Sequence, residues 1–272
     1  MPVFSATYVA TLLATAACAA GLVLVGRRWP GRASRRAGRL LALVLMAVSV
    51  TWIVTTTTGA PWSWGSSLPL PLCDLATLVA AAALWWRRPI LVELTYFWGL
   101  AGTLQALLTP DVQVGFPSLV FVEYVVAHAG IVAAALFLVA GERVAPRPGS
   151  PRRVYLITLA YTAFVGAVDA VSGGDYMFLR HPPAATTMLS ALGPWPWYLV
   201  SAAGVAAVLL ALLDAPFWWH RRQVRRQGGP QPSVTEPVPP QRLGTTTLRP
   251  AGPAGPAGPA GTQHASANSR LD

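Results

Sequence analysis

A thiol, an imidazole, a few carboxyl groups and other polar side chains set among otherwise apolar stretches are the residues that could do chemistry. They are Cys73, Asp74, Glu93, Gln105, Glu123, Tyr124, His128 and Asp169, with Asp214 near the end of the last such stretch and Asp175 and Tyr176 just beyond Asp169. Ionisable groups in a hydrocarbon setting are costly, so each is a site candidate by default. A thiol and an imidazole converging from different helices would make a nucleophile and its base. Pro71 suits the first position of a helix because it has no N–H to lose. Cys73 then falls in the first turn, where free N–H groups and the helix dipole favour an anion, while an ionised Asp74 next door opposes it. Tyr124 stands four residues before His128, one helical turn away, so the two can share a face.

Plainer readings stand beside these. A lone cysteine is often a small buried hydrophobe, and a histidine in a span is often an interhelical hydrogen-bond partner. Glu123 could sit in the outer interface, Glu93 could snorkel to the inner one, and Asp169 could cap its helix. Gly99 and Gly102 read as close-packing positions. Nothing resembles a phosphate-binding loop, a metal-ligand spacing or a nucleic-acid module, so no cofactor, no metal and no nucleic acid is expected.

The elements that must hold these groups follow from composition. Of 272 residues, 54% are hydrophobic and 11% charged, against roughly 25% charged in a soluble domain. That excludes an ordinary soluble protein and a wholly disordered one. All 20 basic residues are arginine against 10 acidic ones, giving +10; without lysine there is no Schiff-base chemistry. Two cysteines make no disulfide framework. About 20 apolar residues cross a bilayer core, and seven stretches qualify or nearly so: 6–26, 39–57, 70–86, 90–108, 119–140, 153–171 and 195–219. The predicted fold class is all-α, a polytopic seven-helix membrane bundle over residues 1–226, with a Pro/Gly-rich, disordered tail at 227–272.

Arginine placement predicts the orientation. Sixteen lie in the connections after the first, third, fifth and seventh stretches, and one, Arg180, lies in the alternate connections. This positive-inside pattern puts the N-terminus outside and the C-terminus in the cytoplasm. Trp62, Trp64, Trp195 and Trp197 mark the outer boundary, and Trp85, Trp86, Trp218 and Trp219 the inner one. In that frame Cys73 and Asp74 sit about one turn below the outer surface. His128 lies about nine residues into its span, roughly 13 Å at 1.5 Å per residue. The polar groups converge on an outward-facing cavity, and only Glu93 and Asp214 lie toward the cytoplasm.

Four ordered motifs carry a resemblance. They are Leu68-Pro69-Leu70-Pro71-Leu72-Cys73-Asp74; the run from Tyr96 to Asp111; Glu123 to Gly130 with His128-Ala129-Gly130; and Asp175-Tyr176-Met177-Phe178-Leu179 followed by Gly193-Pro194-Trp195-Pro196-Trp197-Tyr198. Over about residues 40–215 the chain resembles the YwaF-like bacterial membrane protein family, which is similar to the animal transmembrane protein 164 family. The animal relatives look like phospholipid acyltransferases. The resemblance implies Cys73 as acyl acceptor, His128 as base, membrane phospholipids as partners and no cofactor. Asp74, Gln105, Glu123, Tyr124, Asp169, Asp175 and Tyr176 are the candidate substrate-binding groups. Asp169 and Asp175 stand where the family pattern has Asn, which puts in doubt any role that needs a neutral amide there. A multi-pass plasma-membrane location is expected. The alternative is a transporter or receptor-like binder without catalysis.

Overall fold

The computed structural model describes residues 5–58, 61–110, 112, 114–182 and 191–226. The chain falls into two units, Met1–Gln227 and Gly228–Asp272; the expectation of a disordered tail lies outside the described residues. The described residues form seven helices and no strand: α1 (Ala6–Arg28), α2 (Arg32–Thr58), α3 (Leu72–Trp86), α4 (Pro89–Leu108), α5 (Leu119–Gly141), α6 (Ser150–Ser172) and α7 (Trp197–Arg226). Six are long and apolar enough to cross a membrane, and α3 is the shorter apolar one. The chain is a multi-pass membrane protein.

Helix ends differ from the hydropathy edges for a physical reason. Arginine is a good helix former, so α2 begins at Arg32 and α7 runs through to Arg226, beyond the apolar stretches. Pro71 is the N-cap of α3 rather than its first residue, which puts Cys73 second in the helix. Both α4 and α5 carry a wider π turn, at Trp98–Thr103 and Phe137–Gly141.

Bilayer helices gain little from hydrophobic association and pack through small residues instead. The buried faces follow that rule: Ala76, Ala80, Ala81 and Ala83 on α3 meet Ala42 and Leu45 of α2 and Ile131, Ala134 and Phe137 of α5. Gly99 lies against α5, where an added Cβ would come within 3.1 Å of the Ala135 Cβ. Gly102 faces open space, so its packing role is not realised. The large apolar side chains that point outward, such as Leu13, Leu40, Phe164 and Leu212, form the lipid-facing surface.

The arginine-rich connections gather at one end. Arg87 pairs with Glu142, Arg147 and Arg153 with Glu93, and Arg221 with Asp214. Trp64, Leu68, Tyr176, Phe178, Trp195 and Tyr198 form the other end.

Candidate functional site

A cavity of about 150 Å³ lies between α2, α3 and α5, in the half of the bundle away from the arginines. Asp74, Thr77 and Leu78 of α3 line it at helical spacing, opposite Glu123, Tyr124, Ala127 and His128 of α5, with Ser49, Trp52 and Ile53 of α2 as the third wall. Ile53 and Val120 line it while exposed on the lipid-facing surface. The cavity therefore has a lateral mouth.

His128 is buried, and its Nδ1 lies 2.7 Å from the Tyr124 carbonyl oxygen. A carbonyl only accepts, so Nδ1 carries the proton and Nε2 is the basic nitrogen. The imidazole stacks on the Tyr124 ring, with centroids 4.1 Å apart and planes 28° from parallel. Tyr124 is fixed in turn, since its hydroxyl donates to the Ala106 carbonyl at 2.6 Å. The helical spacing of Tyr124 and His128 thus produces a positioned ring with one defined tautomer.

Two carboxylate oxygens on this cavity, Asp74 Oδ2 and Glu123 Oε1, are buried without a hydrogen-bond partner among the described residues. Buried polar atoms are rarely left so. Both are poised to accept from a hydroxyl or ammonium group that enters the cavity.

Cys73 is half-buried and is not one of the lining residues. It sits one turn above Thr77, whose Oγ1 donates to the Cys73 carbonyl at 2.8 Å. The N–H groups of Asp74 and Leu75 both reach the Pro71 carbonyl, at 3.0 and 3.3 Å. The Leu72 and Cys73 N–H groups have no acceptor within the helix, as expected of a first turn.

An apolar groove of about 360 Å³ between α2 and α3 adjoins the cavity, with Leu78 lining both. Ala42, Leu43, Met46, Ala81, Ala82, Trp85 and Trp86 form its walls. It ends at the arginine side, where the Arg39 guanidinium lies 5.3 Å from the Trp85 ring centroid. From Asp74 to Trp85 the run is about 16 Å at 1.5 Å per residue, roughly half of a hydrocarbon core about 30 Å thick.

The remaining candidates lie elsewhere. Gln105 is on the last turns of α4 and outside the lining. Buried Asp169 accepts from the Tyr176 N–H at 3.1 Å. The Tyr176 hydroxyl donates to the Trp64 carbonyl at 2.6 Å and accepts from the Leu68 N–H at 3.1 Å. These two residues tie the 172–180 connection to the segment that feeds α3. Asp175 accepts from the N–H groups of Arg180 and His181, both at 2.9 Å, and so closes a local turn. None of the three lines the cavity.

Glu93 does not snorkel. It is 1% exposed and accepts from Arg147 Nε at 2.8 Å, the Arg147 N–H at 3.1 Å and Arg153 Nη2 at 2.9 Å. The Glu93 carboxylate holds the Arg147 guanidinium above its ordinary value through these hydrogen bonds, so this cation is kept throughout the physiological range. Sequence reasoning missed the latch, because its arginines lie 54 and 60 residues from Glu93. It also missed Thr77, whose signal was its place four residues after Cys73.

No group of His, Cys, Asp and Glu among the described residues could hold a metal ion. No curated protein and no solved structure matches the chain. The match to the TMEM164 family runs over residues 3–214, from the start of the bundle to Asp214 on α7, and takes in the cavity and all its walls. This membrane-embedded chain, with its imidazole and carboxylates on a lipid-accessible cavity, belongs to the TMEM164 family.

Proposed function

We propose that the protein is a phospholipid acyltransferase of the plasma membrane, with the cavity end of the bundle outside, the arginine end in the cytoplasm, and Cys73 and His128 as catalytic residues. The observation that carries this reading is the His128 tautomer: a buried imidazole presents a basic Nε2 to a cavity open to lipid. In the proposed reaction Nε2 takes the Cys73 thiol proton, and the sulfur attacks the ester carbonyl carbon of a phospholipid. A C–S bond forms. The C–O bond of the ester then breaks, and the imidazolium returns its proton to the departing lysolipid alkoxide. A second lysolipid hydroxyl, deprotonated by Nε2, reverses these steps and carries the chain away. In this reaction the Leu72 and Cys73 N–H groups hold the oxyanion. The adjoining groove takes the acyl chain, and Asp74 and Glu123 accept from the lysolipid hydroxyl or headgroup. The thiol reaches the cavity by side-chain rotation from its place one turn above Thr77.

The test is transfer of a labelled chain from phospholipid to lysophospholipid in proteoliposomes of the purified chain. Cys73→Ser and His128→Gln should each abolish transfer, and the double variant should lose little more, because residues that act as a unit are non-additive. Transfer that survives Cys73→Ser would remove the acyl-enzyme.

A second reading has a specific observation in its favour. Cys73 is absent from the cavity lining while Asp74, Glu123 and His128 are present, which suits a transporter or receptor-like binder of a lipid or small hydrogen-bond donor. Under that reading lipid binding persists in Cys73→Ser and no chain is transferred by the wild type.

A further inference from the structure

A second cavity, of about 350 Å³, lies at the opposite, arginine-rich end, and the proposed acyl transfer does not use it. Its construction starts from two glycines. A Cβ on Gly26 would come within 2.8 Å of the Gly141 carbonyl carbon, so α1 and α5 touch backbone to backbone. That crossing brings the residues that follow each glycine into one pocket: Arg27 from α1, and Glu142 and Arg143 after α5. Arg35 of α2 and Arg87 after α3 complete the ring.

The floor is built and the walls are free. Glu142 is held by Arg87 through contacts of 2.8 and 2.9 Å, and by the buried Ser34 hydroxyl at 2.6 Å. That satisfies one cation and the pocket's single carboxylate. Arg27 spends its Nε on the Ala140 carbonyl at 2.9 Å. Arg35 and Arg143 are exposed, and neither guanidinium makes a hydrogen bond or ion pair among the described residues. The pocket thus holds four guanidinium groups against one carboxylate. Arg143 also adopts a left-handed backbone with φ of 60°, where glycine would be unstrained. Strain of this kind collects at ligand clamps.

Planar guanidinium forks match the paired oxygens of a phosphate. We infer that this pocket binds a phosphate-type anion, the phosphodiester headgroup of an anionic lipid or a free phosphate, between Arg27, Arg35 and Arg143 over the Arg87–Glu142 floor. Basic pockets between transmembrane helices suit such headgroups. The inference is independent of Cys73 and His128.

The experiment is thermal unfolding of the detergent-solubilised full chain with phosphatidylcholine, phosphatidylglycerol or inorganic phosphate added, at low and high salt. Ligands that bind the folded state raise Tm. Phosphatidylglycerol should raise it where phosphatidylcholine does not, and salt should weaken the effect. In Arg35→Gln with Arg143→Gln the apparent affinity should fall roughly tenfold or more, the loss expected for charge-assisted hydrogen bonds. Arg36→Gln, next to the pocket but not lining it, should behave as wild type. Stabilisation by inorganic phosphate as well assigns a free phosphoanion; stabilisation by the lipid alone assigns the headgroup. Equal response to both lipids, or an unchanged affinity in the double variant, overturns the inference.

Discussion

At the scale of residues, the same chemical type does opposite work at the two ends of the bundle. Glu93 has every oxygen engaged by arginines, whereas Glu123 Oε1 and Asp74 Oδ2 have no partner among the described residues. Only the second kind is available to a ligand. Glu123→Gln should therefore raise KM for the acceptor lipid more than it lowers kcat, because it removes a ground-state contact and leaves His128 in place; steady-state kinetics in proteoliposomes would show an equal loss in kcat if Glu123 acted in the chemical step. Glu93→Ala should instead destabilise the fold by about 3 kcal/mol. This is the low end for breaking a buried ion pair, since both guanidinium groups left behind can rehydrate. Chemical denaturation of the solubilised protein measures that loss, and transfer activity per folded molecule should stay near wild type.

Residue type alone could not sort these groups. The pairing of Tyr124 with His128 was legible, because helical spacing puts them on one face. The latch on Glu93 and the tie from Asp169 through Tyr176 to Trp64 were not, because each depends on where a distant connection folds back. Cys73 and Asp74 are neighbours in sequence but about 100° apart around α3, since 3.6 residues make one turn. That rotation decides which of them lines the cavity.

At the scale of elements, close helix approach builds the arginine-rich pocket. Gly26 meets Gly141 backbone, while Gly21 on the same helix has nothing within 4 Å of an added Cβ. Gly26→Ala should cost about 1–3 kcal/mol, as for overpacking a tight contact, and Gly21→Ala should be neutral or stabilising; differential thermal stability of the two variants checks the crossing. The seven helices were legible from apolar runs, but the π turns in α4 and α5 were not, because hydropathy does not register a one-residue change in winding. The groove between α2 and α3 carries its own expectation. Ala82→Phe fills its lower part, so donors with long chains should lose about 0.8 kcal/mol per excluded methylene, about fourfold each in kcat/KM, while short donors are spared. Equal loss for all chain lengths would place the chain elsewhere.

At the scale of the whole molecule, charge and aromatics describe one slab. Trp62, Trp64, Trp195 and Trp197 are exposed at one end and Trp85, Trp86, Trp218 and Trp219 at the other, as expected of interfacial belts. Four connections carry the arginines to the second end, so a reporter fused after Arg226 should read cytoplasm and one inserted near Gly115 should read exterior. A reversed pair of signals would put the Asp74–His128 cavity in the inner leaflet. The alternation of arginines made this layout readable from sequence, whereas the lateral mouth at Ile53 and Val120 required knowing which faces of α2 and α5 meet α3.

In the proposed reaction Cys73 carries an acyl chain, with His128 as its base. The most direct measurement is mass spectrometry of the purified chain after incubation with phospholipid and no lysolipid acceptor. The expected product is a hydroxylamine-labile acyl group on Cys73, absent in His128→Gln and absent from Cys18, the exposed thiol on α1 that serves as an internal control. An unmodified Cys73, or equal modification of Cys18 and of the His128→Gln variant, would contradict it.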